Sequence, residues 1–126
     1  MADVDSLKTV NDTYGHLVGD EALRQIGGII RSMIRISDQA FRYGGDEFAI
    51  FLPNTAVDAA TRVAERIRKQ IALKMMSNRT HVTISLGLAG WPVNGREANE
   101  VIAAADAALY QAKRSGGNKS QRAPNL

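Results

Sequence analysis

Two acidic groupings in this sequence could do chemistry. One centres on Asp3; the other is Asp46-Glu47, which follows directly on Gly44-Gly45, with Arg42, Tyr43 and Phe48 as flanks. If the strands carrying Asp3 and Asp46 are neighbours, their ends converge and offer two carboxylates to one divalent cation. Mg²⁺ takes one or two carboxylates and completes its octahedron with water and phosphate oxygens. The Val4 carbonyl is a further oxygen ligand. Gly44 and Gly45 let the chain turn sharply and leave space for a ligand against the backbone. Taken alone, the hairpin has a plainer reading too, because Gly-Gly-Asp is a common turn and acids at turns are mostly solvated.

Lys8, Asn11, Asp20 and Lys113 extend the first reading. A lysine beside a metal-bound triphosphate neutralises charge that develops in phosphoryl transfer. An aspartate accepts from the N1–H and N2–H of guanine, while an asparagine amide donates to O6 or N3. Singly, each has a bland alternative: Asn11-Asp12 as a turn, Asp20 as a helix cap, the lysines as solvated charges. His16 in a Tyr-Gly-His loop and His81 at a strand start show no evident chemistry. Trp91, between Gly90 and Pro92, reads as a packing residue.

The elements that must position these residues are legible from periodicity. Asp12, Tyr14, Gly15 and Gly19 suggest turn-rich chain before a helix that starts near Asp20. Leu23, Ile26, Ile30, Met33 and Ile34 then recur at helical spacing. Ala40–Tyr43 and Phe48–Leu52 are β-rich runs around the glycine pair, hence a hairpin with its acids at the tip. Thr55 is placed to cap a helix that reaches Leu73, with Val63, Ile67 and Ile71 on one face. His81–Leu88 reads as a strand, and Ala98 through Ala112 as a third helix. Beyond Arg114 the sequence suggests a strand stub at best and then a loose tail. Helix, hairpin, helix, strand, helix in that order points to an α/β (α+β) sandwich with the hairpin central.

Composition narrows the function classes. The 126 residues fit one domain, and the absence of cysteine excludes disulfides and thiolate metal sites. A formal charge of +3 suits a polyanionic ligand but is too small to argue for nucleic acid. No apolar run approaches the roughly 18 residues of a membrane span, and there is no signal-peptide core.

The run Asp3 to His16, then Gly19-Asp20 and Arg42 to Phe48, resembles the GGDEF domain of bacterial diguanylate cyclases. Val82–Gly87 and Ala105–Lys113 are similar to that family's later signatures, so the resemblance covers residues 3–119. It implies a domain over 1–119 with a disordered tail at 120–126, and a mostly antiparallel central sheet like that of adenylyl cyclases and polymerase palms. It implies condensation of two GTP into cyclic di-GMP and two pyrophosphates by an antiparallel homodimer, with Mg²⁺ or Mn²⁺ as cofactor. By the same resemblance Asp3, the Val4 carbonyl and Asp46 hold the metal, with Asp46 and Glu47 at the catalytic centre. Lys8 and Lys113 contact phosphates, Asn11 and Asp20 read guanine, and Gly44 and Gly45 support the nucleotide. Arg35-Ile36-Ser37-Asp38, with Arg66 on the next helix, matches the family's inhibitory product site. A cytoplasmic, bacterial setting and a sensor domain elsewhere in the full-length protein are implied as well.

Two departures accompany the resemblance. The leading helix and part of the first strand usual in the family are absent, so the chain reads as a fragment with sheet edges exposed for pairing. Gly117 stands where an arginine commonly meets the terminal phosphates, and weaker GTP binding is expected. The alternative function is a module that no longer cyclises GTP but captures cyclic di-GMP.

Overall fold

The computed structural model describes residues 1–126. The sheet is built outward from β1 (Ala2–Asp5), where a strict alternation buries Ala2 and Val4 and leaves Asp3 and Asp5 together on the opposite face. β1 lies between β3 (Glu47–Phe51) and β4 (Thr83–Leu88), antiparallel to both. β2 (Gln39–Arg42) pairs with β3 at one edge, and β5 (Ser120–Arg122) runs parallel to β4 at the other, giving the order β2-β3-β1-β4-β5.

Four helices cover the sheet. α1 (Leu7–Tyr14) and α2 (His16–Met33) follow β1 with only Gly15 between them, and α3 (Val57–Leu73) packs beside α2. Ile26 and Ile30 of α2 and Ile67 and Ile71 of α3 close over Val4, Phe48, Ile84 and Leu86 in a single apolar core. On the other face α4 (Ala98–Arg114) lies against β4 so tightly that a Cβ on Gly87 would collide with the Ala105 carbonyl and the Leu109 amide. Glycine is therefore required at 87, and that contact fixes how far the C-terminal end of α4 reaches over β1. No helix is long and apolar enough to cross a membrane.

The α/β sandwich is as the sequence implies, and four local expectations are corrected. The turn-rich chain expected between Asp12 and Asp20 is mostly helical: Leu7 and Val10 anchor α1 in the core, and the single break is Gly15 at φ 93°. Gly19 is no turn residue. It is the point where α2 meets the Asn11 side chain, which a Cβ would displace. Thr55 does not cap α3; Ala56 takes that position, while the Thr55 hydroxyl donates to the Pro53 carbonyl. The tail beyond Lys119 is ordered. Its β5 hydrogen-bonds to β4, Arg122 pairs with Asp58 at 2.9 Å, Ser120 donates to Glu65, and Ala123 is buried. The β1 residues that are present pair on both sides. Trp91 is 72% exposed, its indole N–H bonded to the Arg96 carbonyl, so the expected packing role is not seen.

Gly87→Ala tests the role of the β4–α4 contact. The methyl group cannot be accommodated without lifting α4, so an unfolding free energy lower by about 2–3 kcal/mol is expected in chemical denaturation.

Candidate active site

The register of β1 against β3 assembles the acidic centre. Ala2 stands opposite Phe48 and Asp3 opposite Glu47, and the Val4 amide donates to the Asp46 carbonyl at 3.1 Å. Asp46 and Glu47 are thereby brought beside Asp3 although Asp46 lies 43 positions further along the chain. The hairpin tip is held by Tyr43 N–H on the Glu47 carbonyl at 2.9 Å and by the Arg42 guanidinium on the Gly45 carbonyl. A Cβ at Gly44 would sit 3.1 Å from Glu47 Oε2, whereas the space at Gly45 is open. Neither glycine adopts a positive φ, so their value here is clearance and not turn conformation.

Lys113, near the end of α4, reaches the same centre from above. Its Nζ lies 3.0 Å from the Val4 carbonyl oxygen and 3.3 Å from both Asp3 Oδ1 and Asp5 Oδ1. Asp5 also accepts from Thr83 Oγ1 at 2.7 Å, Ser85 Oγ at 2.8 Å and the Asn118 amide at 2.9 Å. Burial alone would push Asp5 upward, but these hydrogen bonds and the Lys113 charge hold it below the usual carboxylate pKa. Asp3 goes the other way. Burial, aided by the nearby Asp46 and Glu47 and only partly offset by Lys113, pushes its pKa up to about 6.

These residues fit a divalent cation. Asp3 Oδ1 is buried and accepts no hydrogen bond, and a positive charge is already drawn to it and to the Val4 carbonyl. No three His, Asp or Glu side chains converge. The set on offer is two carboxylates and a main-chain oxygen, which suits Mg²⁺ and leaves positions for phosphate.

Lys8 is exposed on the first turn of α1, and Asn11 follows one turn later. Asn11 Oδ1 is buried without a partner, pressed against Gly19, which puts Asp20 next along α2. Asp20 stands on the rim of an open groove of about 650 Å³ between α2 and the hairpin, with Leu17, Leu23, Phe41 and Phe48 among its walls. The structure thus gathers Asp3, Val4, Asp46, Glu47 and Lys113 around the central strand and packs Asn11 against Gly19, the residue before Asp20, where α1 meets α2.

A second cluster sits beyond the far end of α2. Asp38 is almost fully buried and accepts from the Arg35 amide at 2.8 Å and its guanidinium at 3.0 Å. The Arg35 hydrogen bond holds Asp38 below the usual carboxylate range. Arg35 donates further to the Pro53 carbonyl and Thr55 Oγ1, and Arg35 and Asp38 line an open pocket of about 570 Å³ with Arg31 and Ile36. Arg66 reaches across from α3 to the Met33 carbonyl at 3.2 Å.

Asp5 is the residue that sequence reasoning passed over. The signal was present: a D-x-D in a strand puts both acids on one face, and Thr83 and Ser85 have the same spacing. Gly117 has φ +71°, and a Cβ there would lie 3.1 Å from the Asp5 carboxylate, so this turn favours glycine on its own account.

Comparison with known proteins places the chain. Residues 1–119 match the family of the diguanylate cyclase GGDEF domain. The chain is 43% identical over 122 residues to diguanylate cyclase A of Treponema denticola, covering 94% of this chain and 33% of that protein. It superposes with TM-score 0.91 and 32% identity on the GGDEF domain of YfiN (TpbB) from Pseudomonas aeruginosa, covering 99% of this chain and 80% of that one. With the GGDEF domain of DgcB from Caulobacter crescentus, solved in complex with c-di-GMP, the TM-score is 0.89 and the identity 34%, over 97% and 74% of the two chains. The chain belongs to the GGDEF family of diguanylate cyclase domains, and it spans about a third of the length of the T. denticola relative.

The raised pKa of Asp3 has a measurable sign. The folded state binds this proton more tightly than the unfolded state, so its stabilising contribution is complete at low pH and fades as pH rises from 3.8 to about 6. In metal-free protein, Asp3→Asn removes that decline. After allowance for screening, the variant should be more stable than the parent by about 1 kcal/mol near neutral pH. Denaturation curves across pH check it, and an equal or lower stability contradicts the stated environment of Asp3.

Proposed function

We propose that this domain condenses two molecules of GTP into cyclic di-GMP, releasing two pyrophosphates. The reading is carried by one observation: β1 and β3 present Asp3, the Val4 carbonyl and Asp46–Glu47 side by side under the Lys113 ammonium, in a chain of the GGDEF family. Asp3, the Val4 carbonyl and Asp46 hold Mg²⁺ or Mn²⁺, which when bound draws charge from the phosphates. Asn11 and Asp20 bind the guanine edge. Gly44 and Gly45 leave the triphosphate room along the hairpin, and Lys8 and Lys113 offset its charge.

Asp46, aided by Glu47, accepts the proton of the 3′-hydroxyl. That oxygen bonds to the α-phosphorus of the other GTP as the bond to pyrophosphate breaks, and Lys8 stabilises the charge that builds up. Because each GTP must meet another, two copies of the domain face each other antiparallel. In the full-length protein a sensor domain would govern that meeting.

Incubation of the chain and of its full-length parent with GTP and Mg²⁺, followed by chromatography, tests this. Cyclic di-GMP and pyrophosphate should form in a 1:2 ratio by the reaction's balance, and Asp46→Asn should lower the rate by about 10³-fold. No product from either protein contradicts the reading.

Product capture at Arg35, Asp38 and Arg66 is the second reading, as a feedback site or as the whole function of the domain. It is favoured by the preformed Arg35–Asp38 pair, which lines an open pocket. A planar guanidinium suits both a phosphate and a guanine edge. By calorimetry, Arg35→Ala should weaken cyclic di-GMP binding at least tenfold, or about 1.4 kcal/mol. Unchanged affinity removes this site.

A further inference from the structure

The candidate metal site already faces a cation, and it is part of the protein. Lys113 Nζ lies 3.0 Å from the Val4 carbonyl and 3.3 Å from Asp3 Oδ1, two oxygens assigned above to a divalent ion. It lies at the same 3.3 Å from Asp5 Oδ1, which that assignment does not use. Mg²⁺ binds oxygens at about 2.0–2.1 Å, so an ion on Val4 and Asp3 would stand within a few ångströms of the ammonium. Two positive charges that close, partly out of water, repel strongly. They cannot share the seat.

Asp5 gives the lysine somewhere to stay. Its carboxylate is fixed by Thr83, Ser85 and the Asn118 amide, and the α4 contact at Gly87 sets the height from which Lys113 descends. We propose that Lys113 is the resident counter-cation of the metal site: it occupies the Asp3–Val4 seat in the nucleotide-free domain and withdraws onto Asp5 when a divalent ion arrives. The inference rests on the reading of Asp3 and Val4 as metal ligands.

The exchange has a consequence for binding order. A metal alone must displace Lys113 and gains nothing for it in return. A metal arriving with a nucleotide gives the displaced ammonium phosphate oxygens to meet. Divalent ion and nucleotide therefore strengthen each other's binding, and linkage makes the effect reciprocal.

Mn²⁺ titration of the nucleotide-free 126-residue chain, followed by electron paramagnetic resonance, tests the exchange. Lys113→Gln should bind Mn²⁺ at least about tenfold more tightly than the parent. Lys119→Gln, which removes an exposed charge from the turn after α4, should change affinity less than about twofold because solvent screens it. Adding Asp3→Asn to Lys113→Gln should abolish the gain. No tightening in Lys113→Gln, or equal tightening in Lys119→Gln, overturns the proposal.

The two readings fail differently. If Asp3→Asn abolishes Mn²⁺ binding in the presence of GTP while Lys113→Gln gives no gain, the metal site stands and only the exchange is wrong. If Lys113→Gln tightens binding and Asp3→Asn leaves the gain intact, the ion is elsewhere and both fall. In the unmutated chain, ¹³C-labelled lysine supplies a check independent of any variant. The Lys113 Cε resonance should shift in step with Mg²⁺ saturation, and a resonance that stays still overturns the proposal.

Discussion

The structure depends on keeping two acids, Asp3 and Asp5, side by side on the covered face of a central strand. Alternation in β1 leaves no choice, since burying Ala2 and Val4 in the core turns both carboxylates toward α4. Half-buried negative charges so close together repel each other and lose solvation. The protein answers with Lys113 above and with hydroxyls from β4 beside them, but it treats the two acids unequally. Asp5 accepts three hydrogen bonds from Thr83, Ser85 and Asn118 and is held ionised, while the buried Asp3 Oδ1 has only the Lys113 ammonium and Asp3 a raised pKa. That inequality separates a carboxylate fully engaged by the fold from one that is not.

The remaining architecture serves this arrangement. Gly87 lets α4 settle on the sheet, so Lys113 arrives at the right depth. The β1–β3 register delivers Asp46 and Glu47 from a hairpin whose tip is tied by its own backbone and Arg42. The short Gly15 joint folds α1 onto α2 and brings Asn11 against Gly19, the residue before Asp20. At the other end of α2, Arg35 and Asp38 satisfy each other and thereby form a polar cluster that does not share this centre. The α2–β2 side connects the two regions physically, because Arg31, Ala40 and Phe41 line both cavities.

Much of this was legible in the sequence, for identifiable reasons. The hairpin, α3, β4 and α4 follow from periodicity and turn residues, which are local signals. The pairing of Asp3 with the distant hairpin was readable only as a condition, since strand order is a tertiary property. Turn residues misled between Asp12 and Asp20, because Gly19 is small for the sake of a helix–helix contact and not for a turn. The tail misled as well: three polar residues, Ser120 to Arg122, look loose until Asp58, Thr61 and Glu65 of α3 are seen to receive them. Asp5 was missed because its partners come from three distant places: β4, the end of α4 and the turn beyond it.

The most direct test of the central claim is a crystal structure of the chain with Mn²⁺ and a non-hydrolysable GTP analogue, with the ion located by its anomalous scattering. The account predicts a peak at roughly 2.0–2.3 Å from oxygens of Asp3, the Val4 carbonyl and Asp46, with the guanine against Asn11 and Asp20. An ion or a guanine bound elsewhere, with Asp3 still facing Lys113, would contradict it.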